Sequence, residues 1–206
     1  MAGRSDTTSF QFSTFNIQLA SGFARLGLGN MVKGEKFTLG YYVYTVAKML
    51  GQPRRFFDTL PDEPGFGKAF GFLLVSSLFF TGASLITTLP DNPVLWGGIF
   101  FANAVGMTFI GAGLGYLIMT MCMGKKVGFA RLFSVYALSA GVTLLASWVP
   151  FFIWLTEPWR WWLIGTGLVR ACGFKLGYVF LIIGVSVGTM MLFFWSAGLV
   201  IVALRG

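Results

Sequence analysis

From residue 69 onward the chain alternates long apolar runs with short charged or polar segments. A hydrocarbon core about 30 Å thick requires roughly 20 apolar residues for each helical crossing, and most of the runs reach that length. None of them contains an aspartate or a glutamate. The pattern predicts an all-α integral membrane protein, a bundle of five transmembrane helices at about residues 69–89, 94–122, 132–155, 158–173 and 177–204.

The fourth run is short and is flanked by two arginines, so its crossing needs a separate argument. If all five runs cross and the N-terminus is cytoplasmic, all but Arg160 and Arg205 of the 15 basic residues lie on the cytoplasmic side. Without the fourth crossing, Arg160, Arg170 and Lys175 would share one outer loop. Because basic residues concentrate in cytoplasmic loops, the five-span arrangement is favoured, with the C-terminus outside.

The residues before the first run have a different character. Residues 1–65 mix aromatic, glycine and charged positions without a run of span length, and we assign them to a cytoplasmic N-terminal region preceding a membrane domain at 66–206. Apolar positions at mixed helical spacing, with Lys48 nearby, predict an interfacial helix near residues 38–50. We also place the contact with partner proteins in residues 1–30, because they are rich in phenylalanine.

Composition supports a lipid environment. Hydrophobic residues make up 56% of the chain and charged residues 11%, with a mean hydropathy of +0.76. A soluble domain carries about 25% charged residues, so this chain could not cover a surface that faces water. The net charge of +8 lies between the apolar runs, where it indicates orientation and gives no reason to expect nucleic acid.

The side chains that usually carry chemistry are scarce. The sequence has no histidine and two cysteines, Cys122 and Cys172, which form no metal-binding motif. Imidazole ligation of a metal or haem is therefore excluded, and so is a histidine general base. We predict no catalytic residue, no metal site, no cofactor and no enzymatic activity.

Two short segments resemble a known family. The segment QPRRFFDTL at residues 52–60 stands just before the first run, and GLVRACGFK at residues 167–175 joins the last two. Together they resemble the Yip-domain family of membrane proteins, over about residues 45–205. The resemblance implies five spans, a cytoplasmic N-terminus and an outer C-terminus, and it offers no catalytic residues. Eukaryotic members act in vesicle trafficking, but the N-terminal region here does not resemble the eukaryotic cytosolic domain, which argues against GTPase binding. The chain is identified as a prokaryotic member of the family.

Small-residue spacing marks candidate packing sites in the second and fifth spans. Glycines four positions apart on one helix let another helix approach closely. Such pairs predict close contacts within this chain or with a partner subunit. They are Gly111 with Gly115 and Gly184 with Gly188.

The basic and aromatic cluster before the first span is the second candidate site. It suits a membrane surface or a protein partner equally well, and its members are Arg54, Arg55, Phe56 and Phe57. Basic residues at span ends, such as Arg170, either bind anionic lipid headgroups or only orient the chain.

Three functions remain open. The first is a non-enzymatic scaffold or accessory subunit of a larger membrane complex in a bacterial inner (cytoplasmic) membrane, with membrane lipids and other membrane protein subunits as partners. The second is a transporter or channel, for which Asn103 is the most polar side chain deep in a span. The third is a lipid-binding or membrane-shaping protein of the trafficking kind.

Overall fold

The computed structural model describes residues 38–61, 65–124 and 127–205. The partner contact predicted for residues 1–30 lies outside the described residues. The described chain is helical and contains no strand. Its helices are α1 (Leu39–Gly51), α2 (Pro53–Asp58), α3 (Phe66–Thr88), α4 (Pro93–Met123), α5 (Phe129–Ser147), α6 (Ile153–Arg170) and α7 (Leu176–Arg205). The chain divides into two compact units, Met1–Pro53 and Arg54–Gly206.

Helix α1 lies where a helix was predicted, near residues 38–50, and its interfacial location stays a prediction. Its first turn is capped by Thr38, whose Oγ1 accepts a hydrogen bond from the Tyr41 N–H at 3.3 Å. Leu39, Val43 and Leu50 are exposed and fall on one side of the helix, because their spacing matches its period. This exposed apolar stripe is the feature that an interfacial helix requires.

Among the described residues, three helices are long and apolar enough to cross a membrane: α3 with 23 residues, α4 with 31 and α5 with 19. The predicted class, an all-α integral membrane protein, is therefore confirmed at this level. At 1.5 Å per residue, α4 is about 46 Å long, which exceeds the hydrocarbon thickness and implies tilt. Helix α7 has 30 residues, of which Leu176–Thr189 form a shorter apolar helical segment among the residues whose side chains are described, and α6 carries Glu157, Arg160 and Arg170.

Helix α5 is the centre of the bundle. It packs against α3, α4 and α6, and α7 packs against α4 and α6. Every side chain from Leu132 to Thr143 is buried, so α5 has no face left for lipid over that stretch. A helix that is apolar all round and surrounded by other helices is expected at such a position.

The third predicted span, residues 132–155, is longer than the helix that the structure shows. Helix α5 ends at Ser147, a 3₁₀ turn follows at Pro150–Phe152, and α6 begins at Ile153. Proline has no N–H to donate and its ring clashes with the preceding turn, so Pro150 disfavours continuation of α5. Pro158, the first residue of the predicted fourth span, lies inside α6 instead.

Candidate functional site

Close helix contacts in the bundle are made at glycines that lie on α5 or face it. A Cβ added at Gly115 of α4 would stand 2.6 Å from Tyr136 Oη, and one at Gly141 of α5 would stand 2.6 Å from Phe72 Cε1 of α3. Real Cβ atoms do not approach other atoms so closely. Only glycine therefore fits these positions without moving a neighbouring ring, as is usual where membrane helices pack tightly.

The four glycines predicted from sequence spacing divide into two groups. Gly111 and Gly115 are both buried in α4. Gly184 and Gly188 lie on α7, and a Cβ added at either of them would meet no atom within 4 Å. Close packing at the α7 pair stays a prediction for another chain, because this chain supplies no neighbour there in its described part.

Helix α2 is held against α6 by an aromatic ring. Phe57 has no exposed surface, and a Cβ added at Gly167 would lie 3.0 Å from its Cε1 atom. The neighbouring ring of Phe56 is also buried and meets Phe57 edge to face at a centroid distance of 5.6 Å. The contact predicted for these two rings with a membrane surface or a partner is therefore corrected to an intramolecular one. Arg54 and Arg55 are exposed.

The last residue of α2 forms an ion pair with the last residue of α6. The Asp58 Oδ1 atom lies 3.7 Å from Arg170 Nη1, and both side chains are about half exposed. Direct charge-assisted hydrogen bonds between such groups are 2.7–2.9 Å long, so this pair is a loose one. Arg54 lies four positions before Asp58, which places the two side chains on the same side of α2.

An open groove of about 510 Å³ runs between α6 and α7. Its wall is apolar and aromatic except for one threonine and two arginines, and one of the arginines comes from α2. The volume falls within the range of about 300–1,000 Å³ that is typical of ligand pockets. The groove is lined by Arg54, Trp161, Trp162, Gly165, Thr166, Val169, Arg170, Leu176, Val179, Phe180 and Ile183.

The groove follows the helix axes. Trp161 and Arg170 lie nine positions apart on α6, which corresponds to about 13 Å at 1.5 Å per residue. On α7 the lining runs from Leu176 to Ile183 in the opposite direction. The end near Arg170 is therefore cationic and the end near Trp161 is apolar, and the distance between them is close to half of a hydrocarbon core about 30 Å thick.

Several polar side chains with buried atoms lie inside the bundle. The hydroxyls of Tyr136, Ser139 and Ser186 and the Nε atom of Arg160 have no hydrogen-bond partner among the described residues. The Ser186 hydroxyl lies beside the Tyr136 phenol without a hydrogen bond of good geometry, and the charge of Arg160 acts on the same phenol. Arg160 also pairs with Glu157 at 3.8 Å.

The sequence interpretation missed these polar side chains and the groove. It placed Arg160 at an outer helix end, because the fourth span was expected to begin at Pro158. The signal was nevertheless present, since an arginine that interrupts an apolar run marks a candidate functional position. Asn103, which the sequence singled out inside the second span, is exposed on α4.

The cysteines lie near helix ends. Cys122 is exposed at the end of α4, and Cys172 follows α6 in the turn before α7. Burial raises the pKa of the Cys172 thiol to about 11, while the charge of Arg131 opposes that shift. Among the described residues, no group of three or more cysteine, aspartate or glutamate side chains is placed to hold a metal ion.

Apolar helices of membrane-spanning length, packed at glycines around a central helix, define a helical integral membrane protein. The chain belongs to the Yip1 domain family, whose match covers residues 37–198. The resemblance carried by residues 52–60 and 167–175 is thereby confirmed, and the match extends to α1. No curated protein and no solved structure shows significant similarity to the chain.

Proposed function

We propose that this protein is a non-enzymatic lipid-binding membrane protein, and that the groove between α6 and α7 holds the acyl part of a phospholipid. The observation that carries the proposal is the groove itself. Its wall is mostly apolar, it opens to the outside of the bundle, and two arginines are among its lining residues. An apolar groove on the lipid-facing side of a membrane bundle is filled by the solvent it faces, and that solvent is lipid.

The proposal includes five crossings. Helix α6 has 18 residues and is about 27 Å long, which is sufficient for a short span if its arginines reach the polar boundary. With the N-terminus cytoplasmic, the Arg170 end of the groove faces the cytoplasmic leaflet and the C-terminus lies outside. The bacterial inner membrane is the proposed location, and the distribution of basic residues supports this orientation.

Filling the groove tests the proposal. Thr166 lines it, so Thr166→Trp would place an indole where the acyl chain is proposed to lie. The matched control is Leu78→Trp, at an exposed position on α3 away from the groove. Native mass spectrometry of the purified proteins should show that Thr166→Trp loses most of its retained phospholipid while the control keeps it. Equal retention in the two variants would reject the proposal.

A scaffold or accessory subunit remains the second candidate, and one observation favours it. Asn103 is exposed on α4, about 15 Å from the start of that helix and therefore near the middle of a crossing. An amide that faces lipid has no hydrogen-bond partner, whereas a helix of another subunit can supply one. Under this proposal Asn103→Leu should reduce co-purification of partner subunits and Leu117→Ala, at an exposed apolar position, should not. Unchanged co-purification in both variants would count against the scaffold.

A further inference from the structure

We infer that the groove is specific for an anionic phospholipid, whose phosphate binds Arg54 and Arg170 in place of the Asp58 carboxylate. The inference rests on the proposed lipid-binding function and adds the headgroup class and its competitor. It follows from the charges in the groove. Two guanidinium groups line it, and that of Arg170 pairs with Asp58, a carboxylate of the chain itself.

Asp58 pairs with one of the two arginines that a phosphate in the groove would bind. It lies on the same side of α2 as Arg54, and its carboxylate faces Arg170. A phosphate offers more acceptor oxygens than a carboxylate, and guanidinium groups bind phosphate through paired N–H donors. The same position therefore suits a lipid phosphate better than it suits Asp58.

The contact between Asp58 and Arg170 is weak enough to be exchanged. The two atoms are 3.7 Å apart, and the two side chains are 45% and 48% exposed. Exposed ion pairs of this kind contribute little to stability, so breaking this one reduces lipid affinity by about fivefold at most. The docking of α2 on α6 would survive the exchange, because Phe57 remains buried against Gly167.

The depth of the groove selects a membrane lipid over a free phosphate. The cationic end and the apolar end are separated by about 13 Å, which is close to the depth of one leaflet. A phospholipid in its ordinary orientation places the phosphate at the boundary and the acyl chain beneath it. Inorganic phosphate would use the two arginines but would leave the apolar wall from Val169 to Trp161 without a ligand.

Lipid titration of the full chain in detergent, followed by native mass spectrometry, tests the inference. The probes are phosphatidic acid and phosphatidylcholine with identical acyl chains, together with inorganic phosphate as a competitor. The wild-type chain should bind phosphatidic acid about tenfold more tightly than phosphatidylcholine, because phosphatidic acid is a net anion, whereas the choline cation of phosphatidylcholine offsets its phosphate charge near the two guanidinium groups. Inorganic phosphate should displace neither lipid.

Four variants assign this preference to the three side chains. Arg54→Gln and Arg170→Gln should each abolish the preference while phosphatidylcholine binding stays unchanged. Asp58→Asn removes the competing carboxylate and should raise phosphatidic acid affinity about two- to fivefold, in keeping with a weak exposed pair. Arg55→Gln is the matched control, because Arg55 is a neighbouring exposed arginine that does not line the groove, and it should change nothing.

The outcomes separate the inference from the function on which it rests. Equal binding of the two lipids, with loss of both in Thr166→Trp, would overturn the anionic specificity and leave the lipid groove intact. A lower phosphatidic acid affinity in Asp58→Asn would show that the carboxylate helps the lipid, which overturns the exchange. Displacement of phosphatidic acid by inorganic phosphate would overturn the choice of a lipid ligand.

Discussion

The two sides of α6 differ in how they are packed. Towards α5, the helix presents Gly167, where a Cβ would clash with Val135 and crowd Phe57. Towards α7, it presents Gly165, where a Cβ would meet side-chain carbons of Ile183 and Val179 at ordinary distances of 3.5–3.6 Å. Both positions are glycines, yet one closes an interior contact and the other leaves a groove. The difference shows that the core of this bundle is defined by backbone approach, whereas the groove is defined by the spacing of α6 and α7.

Removing the ring that joins α2 to the core should cause the largest loss of stability. Phe57→Ala empties a fully buried position, and such truncations cost about 3–5 kcal/mol. Phe180→Ala changes a ring that is 72% exposed in the groove and should leave stability nearly unchanged. Thermal unfolding of both variants in the same detergent measures the contrast. Equal losses of stability would show that the groove is packed as tightly as the core.

The two cysteines should differ strongly in their rate of reaction with maleimide, and Cys172 should be the slower one. Because the thiolate is the reactive form, a thiol pKa of about 11 lowers the reactive fraction of Cys172 near neutral pH by about 100-fold relative to an ordinary thiol. Maleimide labelling of the Cys122→Ser variant should therefore be slow and should keep rising with pH above 9. The Cys172→Ser variant, which retains the exposed Cys122, should label much faster. Equal rates would show that the turn between α6 and α7 is open to solvent.

A large side chain at a glycine should lower stability in the core and leave it unchanged on the outer helix α7. Gly141→Leu forces a side chain into the ring of Phe72, and overpacking of this kind costs about 1–3 kcal/mol. Gly184→Leu meets open space and should not lower the unfolding temperature. The same thermal measurement applies to both variants. A loss of stability in Gly184→Leu would indicate that α7 packs against another copy or a partner in the detergent complex.

Removing the hydroxyl of Tyr136, at the centre of the bundle, should give the smallest change in stability. Tyr136 is buried and its hydroxyl has no hydrogen-bond partner among the described residues. Tyr136→Phe removes a buried hydroxyl that gains nothing from the fold, so stability should rise by about 1 kcal/mol. Denaturant unfolding of the wild-type chain and the variant compares them. A decrease would mean that the hydroxyl has a partner, such as buried water, that stabilises it.

Hydrophobic runs were sufficient to predict the membrane class and the helices α3 and α4, and the segments at residues 52–60 and 167–175 were sufficient for the family. They were not sufficient for the end of α5, because an apolar run continues past Pro150 while the helix does not. The spacing rule for paired glycines identified Gly115 but not Gly141 or Gly167, since neither of these has a second glycine four residues away. Their importance depends on which ring faces them, and that is a property of the folded chain.

The groove was beyond sequence reasoning for a related reason. Arg54 and Arg170 are far apart in the chain, and only the docking of α2 on α6 brings them to the same cavity. The sequence did mark both as candidates for a membrane surface or lipid headgroup. It could not pair them, because the buried contact between Phe57 and Gly167 that positions α2 has no local signature.

Photo-crosslinking with a phosphatidic acid that carries a reactive group on its acyl chain tests the central claim most directly. The full-length protein is reconstituted in bilayers, irradiated and digested, and the labelled residues are located by mass spectrometry. The account predicts labels concentrated on the groove face, at residues 161–170 of α6 and 176–183 of α7, and their loss in Thr166→Trp. Labels spread evenly over the exposed faces of α3 and α4, with no enrichment at the groove, would contradict it.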